Sequence, residues 1–214
     1  MSNFGARTLR LVNPYAVAYR EARSAVGASA LLKGAEEFPA VAEAVSDCSL
    51  VVGTTAVRNR VLHQSLHRMD GEAGTLIRSR LDSSRVALLF GSEKIGLTNE
   101  DFSHCHWLLH IPTRESHISM NLGQAVAVCL YELARSGSPK TPAQTAEPAS
   151  AAQNEQISDA LLEALKRSGY VKPGNDAVSE KKVRRLVLRF NLEAGDAKVL
   201  LGMVRQIVWK LRQS

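Results

Sequence analysis

The chain has 214 residues, 45% of them hydrophobic and 22% charged, and a formal net charge of +6. This composition is typical of a soluble globular protein with one core of ordinary size and a small appendage. No stretch reaches the roughly 18 apolar residues that a membrane helix requires, and the N-terminus shows no signal-peptide pattern, so we expect a cytoplasmic protein without a membrane segment. Three cysteines in or beside apolar runs favour buried free thiols in a reducing compartment.

Short apolar runs alternate with helical patterns over the first 135 residues. The runs predict strands near residues 9–12, 49–55, 85–90 and 107–112. The helical patterns predict helices near residues 39–47, 71–82, 99–105 and 120–135. Strands of nearly continuous Val, Leu and Ile, separated by helices, are typical of a mostly parallel α/β sheet that is covered on both faces.

A change of composition separates this region from the C-terminus. Residues 136–154 are rich in Pro, Ala, Ser and Thr, which predicts an exposed linker between an α/β domain (1–135) and a small helical domain (155–214). Residues 155–214 contain 12 Lys and Arg against 7 Asp and Glu, whereas residues 1–135 contain 14 Lys and Arg against 13 Asp and Glu. Such a basic excess could grip a nucleic-acid backbone, although a solvated helix face would look the same.

Glycines and polar residues follow three of the predicted strands. The three exits contain GTTA (53–56), GSEKIG (91–96) and RESHISMN (114–121). Ligands of parallel α/β sheets gather beyond the carboxyl ends of the strands, and glycine lets the backbone approach them closely. The patterns GxxxxGK[ST] and GxGxxG are absent, which disfavours a phosphate loop and an ordinary dinucleotide site. On spacing alone, the pattern favours turn residues over ligand contacts for Gly91 and Gly96.

The three exits, in this order, resemble the knotted RNA 2′-O-methyltransferases of the SPOUT superfamily, TrmH type. FGSEKIGLTNE stands where that family carries its glycine–glutamate motif, and ISMNLGQAVAV where it carries its SxN motif. The resemblance implies a mostly parallel α/β sheet with a C-terminal trefoil knot. LRLVNP, CSLVVGTTA and the basic tail are similar to the members that methylate tRNA at position 32, in the anticodon loop.

The resemblance also implies S-adenosylmethionine as cofactor, tRNA as substrate, and a homodimer that builds the active site beside its interface. The cofactor-binding residues that it implies are Thr54, Thr55, Ala56, Gly91, Ile111, Ile118, Ser119 and Met120. The catalytic residues that it implies are Glu93, Ser119 and Asn121. Without the family pattern, Glu93 would be interpreted as a surface carboxylate and Ser119 as a helix N-cap.

The N-terminus departs from the family pattern. Family members begin with a strand, a Gly-Asn loop and a helix whose arginine is held by the glutamate and assists deprotonation of the hydroxyl. MSNFG aligns with the end of that helix, so we expect either a start codon assigned too late or a shortened chain. Arg7 and Arg10 follow the expected helix and cannot replace its arginine.

The tail carries the predicted RNA contacts. These are Lys181, Lys182, Arg184, Arg185 and Arg189, which would hold tRNA phosphates and position the RNA without reading its sequence. No metal site is predicted, because the neighbours His104, Cys105 and His106 point in different directions on a helix or strand. Two alternatives stay open: an rRNA 2′-O-methyltransferase of the same family, and a noncatalytic RNA-binding or assembly protein.

Overall fold

The computed structural model describes residues 1–14, 29–56, 63–114, 118–135 and 147–213. Its strands are β1 (Arg10–Val12), β2 (Glu36–Phe38), β3 (Leu50–Thr54), β4 (Ser65–Arg68), β5 (Val86–Leu89) and β6 (Trp107–His110). Its helices are α1 (Ser29–Lys33), α2 (Val41–Ala44), α3 (Gly71–Leu81), α4 (Asn99–Ser103), α5 (Leu122–Arg135), α6 (Ala151–Arg167), α7 (Asp176–Arg189) and α8 (Ala194–Leu211). Within these ranges, no helix has the length and apolar character needed to cross a membrane.

Four parallel strands form the main sheet, in the order β4-β6-β3-β5. β3 is an inner strand because β5 and β6 pair with its two edges, and Val51 and Val52 are each 0% exposed. β1 and β2 pair in parallel as a separate two-stranded sheet. The predicted α/β class with a mostly parallel sheet is confirmed, and the trefoil knot stays a prediction.

Successive residues of β3 supply two different cores. Val52 packs with Ile77 of α3 and Cys129 of α5 on one side of the sheet. Val51 packs with Phe102 of α4 in a second apolar cluster. Because neighbouring side chains of a strand point to opposite faces, β3 is covered on both faces, as its uninterrupted apolar sequence predicts.

The structure contains every strand that the apolar runs predict, and it adds β2, β4 and α1, which were not predicted. β2 reads EEF and β4 reads SLHR, so neither contains an apolar run. β4 is an edge strand of the main sheet, where short and partly charged strands are common because one edge faces solvent. Apolar patterning alone therefore misses β2 and β4.

The first helical turn precedes β1. Ser2–Phe4 form a 3₁₀ turn that ends at Gly5, whose φ of 77° lies in the left-handed region that favours glycine. The Phe4 ring packs edge-on against Tyr131 of α5, with ring centroids 6.2 Å apart. MSNFG thus forms a short helical turn that rests on α5.

The C-terminal bundle, defined here as α6, α7 and α8, packs around Ile157, Val187 and Ala197, each at most 1% exposed. The predicted linker is too long at its C-terminal end. Ser150 caps α6, which begins at Ala151, so the last four residues assigned to the linker belong to the helix. Apolar periodicity in α6 is weak before Ile157, which explains why the sequence placed the boundary later.

The first turn of α6 docks on the α/β region. The amides of Ala151 and Ala152 donate to the carbonyl oxygens of Cys48 (2.7 Å) and Ser46 (2.9 Å). The first amides of a helix have no partner within it, so this contact satisfies two donors that would otherwise need water.

His106 fastens the start of β6 to β3. Its Nδ1 accepts a hydrogen bond from the Val51 amide at 3.2 Å, and its own amide donates to the Val51 carbonyl at 2.8 Å. Burial lowers the pKa of His106 to about 4. The neutral ring is therefore the folded form, since a protonated Nδ1 could not accept this hydrogen bond.

We predict that His106 makes the free energy of unfolding depend on pH between about 4 and 6.5. The unfolded chain binds the proton first as the pH falls, so this stabilisation is complete above pH 6.5 and is lost towards pH 4. The pKa is 6.5 in the unfolded chain and about 4 in the folded protein, which corresponds to a loss of about 3 kcal/mol in the free energy of unfolding. Urea unfolding across this pH range should show a flatter profile for His106→Gln than for the wild type.

His63→Gln, at an exposed position, should retain the wild-type profile. Identical slopes for His106→Gln and wild type would contradict the prediction.

Candidate active site

Three strand ends meet at one edge of the main sheet. β5 and β6 run parallel to β3 on either side of it, so their carboxyl ends lie beside its own. The Thr54 hydroxyl donates to the Leu89 carbonyl at 2.9 Å, and the Thr55 amide donates to the Leu109 carbonyl at 2.9 Å. The predicted residues Thr54 and Thr55 are thus held between the exits of β5 and β6, with Ala56 exposed beyond them.

The glycine loop, defined here as residues 91–98, is a tight turn with no room for a side chain at its start. A Cβ on Gly91 would lie 2.1 Å from the Gly96 carbonyl carbon and 2.2 Å from the Leu97 amide nitrogen. The Gly96 amide donates to the Ser92 carbonyl at 2.8 Å, and Gly96 has a φ of 70°. Both glycines are therefore required by the turn itself, which places Glu93 on its exposed side.

Asn121 joins the glycine loop to the start of α5. Its Oδ1 accepts from the amides of Gly123 (2.9 Å) and Gln124 (3.3 Å), which is the geometry of a helix N-cap. Its Nδ2 donates to Glu93 Oε1 at 3.1 Å. Two of the three predicted catalytic residues are thus in direct contact, although 28 residues separate them in the sequence.

The remaining predicted residues follow β6 or precede α5 in the chain. Ser119 is exposed two residues before Asn121, and Met120 is 36% exposed. Ile111 leaves β6 packed against one apolar core, and Ile118 is half-buried. Apolar side chains beside a few polar groups are suited to an adenosine-like ligand.

The cysteines do not act as nucleophiles in this arrangement. All three are buried, and burial raises the pKa of Cys48 to about 12 and that of Cys129 to about 11. A thiol reacts as its thiolate, which burial disfavours here. Among the residues that the structure describes, no group of three or more His, Cys, Asp or Glu side chains could hold a metal ion.

The basic residues of α7 divide between two faces. Lys182 and Arg189 are exposed and Arg185 is half-buried, so these three lie on the outer face, and Arg189 also donates to the His63 carbonyl at 2.8 Å. Lys181 is paired with Glu100 of α4 at 2.8 Å. Burial and the like charge of Arg189 lower the pKa of Arg185. The outer face is therefore positively charged.

Arg184 does not belong with the predicted RNA contacts. It is 5% exposed, and its guanidinium donates to the carboxylates of Glu155 (2.7 Å), Glu180 (2.8 Å) and Glu100 (3.2 Å). It also donates to Ser103 Oγ at 2.8 Å. The positive charge of Arg184 is thus balanced by carboxylates within the protein. Sequence patterning missed this role, although its position between Val183 and Val187 on the buried face of α7 was a usable signal.

Arg10, which the sequence excludes as the catalytic arginine, is also held by carboxylates. Its guanidinium contacts Asp47 at 2.5 and 2.8 Å and Glu36 at 3.1 Å, and it lies over the Phe38 ring. These contacts join β1 to β2 and to the turn after α2, and Arg10 also donates to the Ala44 carbonyl at the end of α2 at 2.8 Å. Arg10 therefore acts as a structural link.

The fold and this edge of the sheet define a methyltransferase of a known class. The chain belongs to the SpoU rRNA methylase family, whose model matches residues 1–131. Its relatives include the tRNA (cytidine/uridine-2′-O-)-methyltransferase TrmJ of Cronobacter sakazakii, which is 32% identical over 97% of this chain and 87% of the relative. TrmJ of Yersinia pestis is 31% identical, over 97% of this chain and 83% of the relative.

Solved structures agree with these relatives. The crystal structure of TrmJ from Z. mobilis is 28% identical and superimposes with a TM-score of 0.82, covering 97% of this chain and 89% of that one. A probable methylase family protein from Haemophilus influenzae is 29% identical with a TM-score of 0.58, over 99% and 88% of the two chains. The family that the sequence motifs indicate is thereby confirmed.

We predict that Asn121→Ala lowers the free energy of unfolding by about 1 kcal/mol, because α5 loses its N-cap. Urea unfolding should show a lower midpoint with an unchanged slope. Asn175 precedes α7 but makes no side-chain cap hydrogen bond, so Asn175→Ala is the matched control and should change the midpoint little. Equal effects of the two substitutions would show that the Asn121 cap does not stabilise the helix.

Proposed function

We propose that this chain is an S-adenosylmethionine-dependent methyltransferase that modifies the ribose 2′-hydroxyl of tRNA at position 32, in the anticodon loop. The observation that carries the proposal is the hydrogen bond between Asn121 and Glu93, which brings the SxN and glycine–glutamate motifs together at the carboxyl ends of β5 and β6. The TrmJ relatives cover nearly the whole chain and support tRNA over rRNA as the substrate.

The chemistry explains why these residue types are needed. A ribose hydroxyl is a weak nucleophile, so it must be held close to the methyl group and relieved of its proton. When bound, S-adenosylmethionine supplies the electrophilic methyl group. In this proposal Ser119 and Asn121 orient the ribose. Glu93, fixed by Asn121, presents its carboxylate where, as the family resemblance implies, members hold the arginine that assists loss of the proton; Arg7 and Arg10 do not supply that cation.

The exposed side of α5 supports the proposed homodimer. Gly123, Ala127 and Tyr131 follow one another at intervals of four residues, and all three are exposed. This spacing places them along one face of the helix. Small residues allow two helices to approach closely, and Tyr131 adds an aromatic side chain that is 51% exposed. In the proposed dimer, this face lies next to the edge that carries Ser119 and Asn121.

We predict that Glu93→Gln lowers kcat for tRNA methylation by about ten-fold or more, because the neutral amide removes the negative charge that Asn121 holds at the proposed ribose site. Transfer of a radiolabelled methyl group to total tRNA measures this rate. Glu72→Gln, at an exposed position in the first turn of α3, serves as the control and should retain the wild-type rate. Equal rates for Glu93→Gln and wild type would overturn the catalytic role of Glu93.

The target nucleotide is tested in cells. In a strain that lacks the gene, mapping of ribose methylation should show loss at tRNA position 32, and restoring the gene should restore the modification. A change confined to rRNA would overturn the choice of tRNA. Unchanged methylation of both RNAs, together with no S-adenosylmethionine binding by calorimetry, would favour the noncatalytic alternative.

We predict that the outer face of α7 contributes to tRNA affinity through phosphate contacts. Each of Lys182→Gln, Arg185→Gln and Arg189→Gln should weaken binding and reduce the slope of log K against log salt concentration by about 0.9 on duplex-like RNA, because one fewer counterion is released. Filter binding across a salt series measures this slope. Lys33→Gln, at the exposed end of α1, should leave it unchanged. An unchanged slope in all three α7 variants would remove α7 from the RNA-binding surface.

A further inference from the structure

Arg184 lies at the contact between the C-terminal bundle and the α/β region. Its guanidinium bonds to Glu155 of α6 and Glu180 of α7 within the bundle, and to Glu100 and Ser103 of α4 outside it. A buried cation is tolerated only where carboxylates and hydrogen bonds replace its hydration. Because these partners belong to both parts of the molecule, the guanidinium fixes α7 against α4.

α4 in turn holds the end of the glycine loop. Thr98, the last residue of that loop, caps α4: its hydroxyl accepts from the Asp101 amide at 3.2 Å, and its own amide donates to Asp101 Oδ2 at 2.7 Å. Leu97 is 7% exposed in the core that also contains Phe102 of α4. A shift of α4 would therefore move the C-terminal half of the glycine loop.

The same loop cannot absorb such a shift internally. The backbone at Gly91 is packed directly against Gly96 and Leu97, and Ser92 and Gly96 are joined by a backbone hydrogen bond of 2.8 Å. Glu93 is one of the residues that form this turn, between Ser92 and Gly96. A displacement at Leu97 would thus reach Glu93, and through Glu93 it would reach Asn121.

α7 carries the proposed RNA contacts on its other face. Lys182, Arg185 and Arg189 lie on the outer side, whereas Val183, Arg184 and Val187 are on the buried side. One helix therefore meets both the proposed tRNA surface and the element that supports the glycine loop. Two faces of a packed helix move together, since protein interiors are close-packed.

We propose that Glu100 and Arg184 are positioning residues: their contact transmits the position of α7 to the glycine loop, so that the C-terminal bundle sets the orientation of Glu93 as well as binding RNA. This inference rests on the proposed function for its effect on the rate. Its structural part, support of the glycine loop by α7, does not depend on the reaction.

The test compares two partners of the same guanidinium. Glu100→Gln weakens the link to α4, and the exposure of Glu100 lets the fold tolerate the change, whereas Glu180→Gln weakens a contact within α7. We expect Glu100→Gln to lower kcat for tRNA methylation three- to ten-fold with KM for tRNA within two-fold of wild type. Glu180→Gln should keep both parameters within two-fold. Equal effects of the two substitutions, or a change in KM alone for Glu100→Gln, would overturn the proposal.

Hydrogen exchange supplies a readout that needs no activity. In Glu100→Gln, amides 92–97 should exchange several-fold faster than in wild type and in Glu180→Gln, while amides of α6 should be unchanged. Unaltered exchange of the loop amides would overturn the proposal even if kcat fell. Faster exchange in a protein that methylates no tRNA would instead reject the proposed function and retain the structural link.

Arg184→Gln tests the other partner of the contact. It should reproduce the fall in kcat and the faster loop exchange, and melting curves establish that it is folded at the assay temperature. Arg184→Lys keeps the charge and should recover part of the loss. A folded Arg184→Gln with wild-type kcat and wild-type loop exchange would overturn the role of the guanidinium.

Discussion

The pairing of β3 with both β5 and β6 determines where the candidate site lies. Val51 and Val52 are fully buried on opposite faces of the sheet, so β3 cannot shift by one residue without exchanging two cores. Its flanking strands are held in parallel register with it, and their carboxyl ends lie together at one edge. The glycine loop and the start of α5 extend from that edge. The contact between Glu93 and Asn121 is a consequence of this register.

Close packing within the protein explains why glycine is needed at the ends of β3 and β5, and no ligand has to be invoked. A Cβ on Gly53 would lie 2.7 Å from Cys105 Sγ, and one on Gly91 would overlap the backbone of the same loop. Both of these glycines are therefore required by contacts within the protein. The interpretation of Gly91 as a turn residue, which spacing alone favoured, agrees with this geometry. A cofactor would bind against the backbone shape that these glycines make possible.

The sequence predicts the inner strands well because burial on both faces requires continuous apolar residues. It predicts Glu93 and Asn121 as site residues through their motifs, but their hydrogen bond depends on the register of β3, β5 and β6, which no local pattern contains. β4 is missed because its sequence, SLHR, contains no apolar run, which an edge strand tolerates since one of its edges faces solvent. The start of α6 is missed because its capping box follows a segment of linker-like composition.

The net charge of residues 155–214 overstates the positive charge available at the surface of the C-terminal bundle, because it counts paired and unpaired cations alike. Several basic residues of the C-terminal bundle are neutralised by nearby carboxylates: Lys166 by Asp176, Arg167 and Arg212 by Glu163, Lys181 by Glu100, and Arg184 by three glutamates. Exposed pairs of this kind stabilise the fold little. They do lower the charge available to a phosphate backbone, whose attraction depends on the local field. The outer face of α7 therefore carries a larger share of the effective positive charge than the sequence count suggests. The inner face of the same helix bears Arg184, whose charge is balanced by the carboxylates of these three glutamates, so the two faces of α7 use their positive charge differently.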